Sequence, residues 1–167
     1  MAAFRIKIIL VYGVVILLTT FAFVALGYLY DTPLTELYLE SGSTAAFQES
    51  AGMYEVNTER ISRFSTVHMA APYVGALFGL ILSFISFRRK KLDKRLLLPL
   101  AAITLLISLL HLTEAPGIRA VFFAPGQLVS DSVTTAATIN YLLWLGLSFW
   151  MAFSRRLIPV QAGNDKV

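Results

Sequence analysis

The sequence predicts an all-α, four-helix transmembrane bundle running up-down-up-down, and three observations predict it. Apolar runs occur at about residues 6–30, 68–87, 96–113 and 134–153, each near the ~20 residues a helix needs to cross a hydrocarbon core ~30 Å thick. The connector at 88–95 is too short for a domain and holds six cations, Arg88, Arg89, Lys90, Lys91, Lys94 and Arg95. Charge also segregates by side. With four spans, eleven of the fourteen Lys and Arg fall on the face shared by this connector and both chain ends, leaving Arg60, Arg63 and Arg119 on the other. The positive-inside rule then places both termini in the cytoplasm and loops 31–67 and 114–133 outside. Eight of the ten carboxylates lie in those two loops.

Composition bounds the class. At 57% hydrophobic residues and a mean hydropathy of +0.70, the 167 residues form one multi-pass integral membrane domain, its apolar surface meant for lipid and neighbouring helices. The basic pI, near 9.5, does not point to nucleic acid, because the cations sit where topology needs them and no soluble basic stretch is interleaved with aromatics. The absence of cysteine excludes disulfides, thiolate metal sites, covalent haem attachment and cysteine nucleophiles.

The first run follows Arg5 and Lys7. At roughly 25 residues it exceeds the ~7–15-residue core of a signal peptide and reads as an uncleaved span. Gly13, Thr19, Thr20 and Gly27 allow close helix contact, and no acidic or basic residue follows Lys7 within the run, so its expected role is structural. Asp31-Thr32-Pro33 reads as a stop followed by a fresh N-cap, starting a short helix over 33–40. Residues 44–64 are amphipathic: Phe47, Met53, Tyr54, Val56, Ile61 and Phe64 alternate with Glu49, Glu55, Glu59, Arg60 and Arg63. They predict short helices on the outer membrane surface, roofing the bundle or docking a partner.

In the second span Ala71, Gly75, Gly79 and Ser83 recur at every fourth residue. This ridge includes a GxxxG and lets another backbone approach where lipid offers no hydrophobic drive for association. Pro72 is expected in the helix's first turns, where a missing N–H is tolerated. The third span carries Ala101, Thr104, Ser108 and His111 at helical spacing, with Glu114 one turn on. Two Ala-Pro-Gly triplets, at 115–117 and 124–126, bracket Val121-Phe122-Phe123 and predict a surface loop instead of a continuous helix. Ser130, Asp131 and Ser132 cap the fourth span, which carries Asn140, Tyr141, Trp144 and Trp150.

Candidate chemistry gathers on the only two histidines. Counting ~1.5 Å per residue puts His68 and His111 at similar depth near the outer boundary. Two imidazoles facing across a bundle suit the axial positions of a b-type haem, with Gly75 and Gly79 supplying room for the macrocycle. His68, His111 and Glu114 also match a two-nitrogen, one-carboxylate metal set. His111, Glu114 and Asn140 suit a quinone or proton site. Against these stands the structural reading: interfacial anchor histidines, and an Asn140 making one interhelical bond worth ~1 kcal/mol. The 88–95 cations serve topology and anionic-lipid contact. No phosphate loop or nucleophile elbow is present, and no acid sits within a span, which argues against a proton pump. The functional expectation is a non-catalytic integral subunit that scaffolds a larger membrane complex beside other integral subunits. The alternative is a haem b or quinone-linked electron-transfer protein using His68 and His111.

Overall fold

The computed structural model describes residues 2–41, 44–53, 56–109 and 116–159, and among them the chain is all-helical. The elements are α1 (Ala2–Tyr28), α2 (Thr32–Ser41), α3 (Thr44–Met53), α4 (Thr58–Lys90), a 3-10 turn (Lys94–Leu96), α5 (Leu97–Leu109), α6 (Pro116–Gln127) and α7 (Val133–Phe153). Three of these, α1, α4 and α7, are long and apolar enough to cross a membrane.

The α1 helix is hydrophobic on every side, and a helix of that kind is buried or membrane-embedded. It lies between α4 and α7, with Tyr12, Val15, Ile16, Phe21, Ala22 and Ala25 fully buried. The small-residue ridge of α4 sets the first contact. A Cβ on Gly75 would come within 2.8 Å of the Thr19 carbonyl and Thr20 Cα, and one on Gly79 within 2.7 Å of Ile16 Cα. Rising numbers on α4 meet falling numbers on α1, so the two run antiparallel at backbone contact distance. Against its other side α1 packs α7, with Tyr12 near Ala152 at one end and Phe21 and Ala25 near Ala137 towards the other. Outward faces are apolar: Met69, Leu77 and Ile81 on α4, Leu98, Leu105 and Leu109 on α5, and Leu142 and Trp150 on α7 are all exposed. Lipid is the solvent in which such faces belong.

Three differences from expectation have physical causes. The helix that carries the expected second span begins ten residues before residue 68. Asn57 caps α4, its side chain accepting from the Glu59 N–H at 2.9 Å, and the helix runs 33 residues to Lys90, about 50 Å at ~1.5 Å per residue. The polar stretch from Thr58 therefore belongs to the same helix and is not a separate roof helix, whereas α2 and α3 are separate helices. Pro72 accordingly sits inside α4, where it withholds the N–H that a regular helix sends to the His68 carbonyl. Residues of the expected 114–133 loop form a helix, α6. Pro116 heads it, where no N–H is needed, and α7 side chains accommodate Pro125, as described below. The expected third span, 96–113, is described as far as Leu109, as the thirteen residues of α5, and the rest of it lies outside the described residues.

Candidate functional site

Most of the chemistry-bearing groups collect at the two ends of the bundle. At one end the start of α1 meets the ends of α4 and α7. The α4 helix stops because Lys91 adopts the left-handed conformation, φ 53°, and the chain turns through Asp93, whose carboxylate caps the 3-10 turn at the Arg95 N–H and lies 3.6 Å from Arg5. Of the six connector cations, Arg88, Arg89, Lys91, Lys94 and Arg95 are exposed, as lipid-headgroup contact requires. Lys90 departs from them. It is 3% exposed, and its ammonium donates to the Ser154 carbonyl at 2.8 Å, where a cation complements the partial negative charge of the α7 C-terminus. Beside it Tyr12 Oη bonds Ser86 Oγ at 2.7 Å, and Ser86 Oγ also donates to the Ala152 carbonyl. One polar cluster thus ties three helices together. Its signal in the sequence was no more than two polar side chains, Tyr12 and Ser86, each flanked by apolar neighbours.

At the opposite end His68 is enclosed by rings from three helices. Its imidazole centroid lies 4.0 Å from Phe64, 5.1 Å from Tyr28 and 6.0 Å from Tyr38. Nδ1 is 3.3 Å from the Phe64 carbonyl; a carbonyl only accepts, so Nδ1 holds the proton of the neutral ring. Nε2 is then a bare acceptor, buried and without a hydrogen-bond partner among the described residues. Tyr38 and Phe64 were visible in the sequence only as members of amphipathic faces. Which ring they enclose depends on how α2 folds back.

That return is set by Asp31. Its carboxylate accepts from the Leu34 N–H at 3.3 Å, capping α2, and takes a two-pronged contact from Arg60, at 2.7 Å from Nε and 2.8 Å from Nη2. The guanidinium holds the Asp31 carboxyl below its ordinary range. The clamp joins the end of α1 to the start of α4, next to the aromatic cage.

Asn140 is buried and uses both ends of its amide. Oδ1 accepts from the Gly126 N–H at 3.0 Å, and Nδ2 donates to the Phe123 carbonyl at 3.1 Å. Trp144 Nε1 donates to the Phe122 carbonyl at 2.8 Å, the group that a regular helix would pair with Gly126. Two α7 side chains therefore serve the backbone that Pro125 disturbs, and α6 stays helical to Gln127. Gly126 permits the approach, since a Cβ there would lie 2.6 Å from Asn140 Nδ2 and closer still to the Ala136 carbonyl. Phe122 stacks on Phe21 at 3.8 Å. Through these two bonds the amide holds α6 to α7.

The other expected site residues fall differently. Ala71, Gly75, Gly79 and Ser83 are buried on α4; Gly75 and Gly79 lie against α1, which fills the room a macrocycle would need there. His111 and Glu114 lie outside the described residues, and with them the expected histidine pair and the three-residue metal set. Among the described residues no group of three His, Asp or Glu side chains converges. Comparison with protein-family models, with curated proteins and with solved structures found no match to this chain.

Proposed function

We infer that the protein is an integral membrane subunit whose role is structural. It scaffolds or stabilises a larger membrane complex, crossing four times with both termini in the cytoplasm. One observation carries this reading. Apart from His68 Nε2, the buried polar groups named above are engaged with the chain's own backbone: Thr19 and Thr20 with carbonyls one turn back, Ser83 with Gly79, Ser86 with Ala152, Lys90 with Ser154, and Asn140 with Phe123 and Gly126. The bonds of Ser86, Lys90 and Asn140 cross between helices, and inside a membrane such bonds act as interhelical glue. The exposed apolar faces of α4, α5 and α7 supply surface for lipid and for other membrane subunits. The charge asymmetry supports the four-span threading.

The experiment is cross-linking in intact membranes followed by native electrophoresis. A defined larger assembly that is lost or destabilised on deletion of this chain supports the reading, and a solitary monomer refutes it. Because the chain has no cysteine, threading is read by single-cysteine labelling: Glu49→Cys should react with an impermeant maleimide from outside, and Lys91→Cys only from the cytoplasm.

A second reading rests on His68 Nε2, a buried acceptor with no donor among the described residues. Its fixed tautomer is that of an imidazole ready to ligate a metal or accept from a quinol hydroxyl. A visible spectrum of the detergent-purified protein tests haem directly. A Soret band that disappears in His68→Phe would establish it and displace the first reading.

A further inference from the structure

Between the ends of α1 and α4 an apolar groove of about 420 Å³ opens on the outer surface of the bundle. Its walls are Phe23 and Leu26 on α1 and Val67 and Val74 on α4, and its width comes from the small residues Gly27 and Ala70. At its upper end Tyr30 also lines a second recess, of about 360 Å³, whose other walls are Asp31, Asn57, Glu59, Arg60 and Arg63. The two adjoin at Tyr30, which lines both. From Arg63 to Val74 is eleven residues of helix, about 16 Å, close to the depth of one leaflet of a ~30 Å core.

We propose that this composite cleft binds one zwitterionic phospholipid of the phosphatidylethanolamine type, its acyl chain in the groove and its headgroup in the recess. Charge complementarity selects the headgroup. The recess carries two cations and two carboxylates, so its net charge is zero. A purely anionic headgroup that drew Arg63 to itself would leave Glu59 without its partner, whereas a zwitterion has a partner for each sign. The pairs are also unequal. Asp31 is 12% exposed and held by two bonds, whereas Arg63 and Glu59 are 67% and 66% exposed and joined only as i,i+4 neighbours on one helix. Exposed pairs of that kind are weak, so Arg63 and Glu59 are the two that open: the guanidinium donates to the lipid phosphate, and the carboxylate accepts from the primary ammonium. A choline headgroup has no N–H to give Glu59, and a glycerol headgroup has no cation. The proposal rests on the chain lying in a bilayer and is independent of the subunit reading.

The test titrates delipidated protein in detergent with phosphatidylethanolamine, phosphatidylglycerol and phosphatidylcholine of matched acyl chains, and counts adducts by native mass spectrometry. Phosphatidylethanolamine is expected to bind about tenfold more tightly than either competitor, the factor for one charge-assisted contact. Ala70→Phe, which fills the groove, should weaken all three lipids. Glu59→Gln should abolish the headgroup preference while leaving acyl-chain binding intact. Equal adducts with all three headgroups overturn the proposal, and so does wild-type binding by Ala70→Phe. If circular dichroism shows that Ala70→Phe does not fold, Val74→Trp blocks the far end of the same groove. A protein that stays dispersed without detergent would instead remove the bilayer reading beneath it.

Discussion

Adding one methyl group at Gly79 is the sharpest test of how α1 and α4 meet. The new Cβ would lie 2.7 Å from Ile16 Cα and closer still to Thr19 Oγ1, against an optimal carbon–carbon separation of ~3.5–4.0 Å. Ile16 Cα is backbone and cannot rotate away, so α4 must retreat from α1 by about 1 Å. A gap of ~0.5–1 Å forfeits about a quarter to a half of each dispersion contact across the crossing. Overpacking of this kind costs about 1–3 kcal/mol, and in a chain of this size each kcal/mol lowers the melting temperature by roughly 2–4 °C. Gly79→Ala should therefore melt about 2–12 °C below the wild type in detergent. Gly146→Ala is the control: a Cβ there meets nothing within 4 Å, and alanine is the better helix former, so its melting point should hold or rise. Equal stability of Gly79→Ala and wild type, or equal damage in both variants, would refute backbone contact along this ridge.

Three further outcomes follow from the polar groups. Asn140→Leu leaves the buried Gly126 N–H and Phe123 carbonyl without their partner, a loss of about 1–3 kcal/mol, which thermal unfolding reads directly; limited proteolysis should cut within α6 first. The Asp31 carboxyl is held down by Arg60, so its contribution is complete above the unfolded value near ~3.9 and fades as pH falls through the lower folded value. Stability measured from pH 6 down to pH 3 should accordingly fall more steeply in the wild type than in Asp31→Asn, though only modestly, because water screens so exposed an arginine. His68→Phe preserves the stacked rings and removes the unpartnered Nε2. It should be at least as stable as the wild type, whereas His68→Ala should lose about 1–3 kcal/mol of packing, both measured by chemical denaturation in detergent.

Much of the architecture was legible because it follows from local chemistry. The apolar runs, the helix stop and restart at Asp31-Thr32-Pro33, the tight connector and the small-residue ridge each depend on residues within a turn or two of one another. The helix over 116–127 was not legible. Pro125 and Gly126 argue against a helix as long as α6 is considered alone, and only Asn140 and Trp144, fourteen or more residues away, meet the backbone groups that proline disturbs. The start of α4 escapes a sequence reading for a related reason. Its polar first turns break the apolar pattern, yet Asn57 caps them and Arg60 ties them to Asp31.

For this protein the order of residues alone determined the helical class, the apolar composition of the long helices and the clustering of charge between them, since hydropathy and cation count are properties a chain carries before it folds. Only the tertiary structure decided that the glycine ridge faces α1, that Lys90 turns inward to Ser154, that Asn140 serves α6, and that three aromatic residues enclose His68. These outcomes depend on which helices become neighbours, a choice made by the fit of whole surfaces.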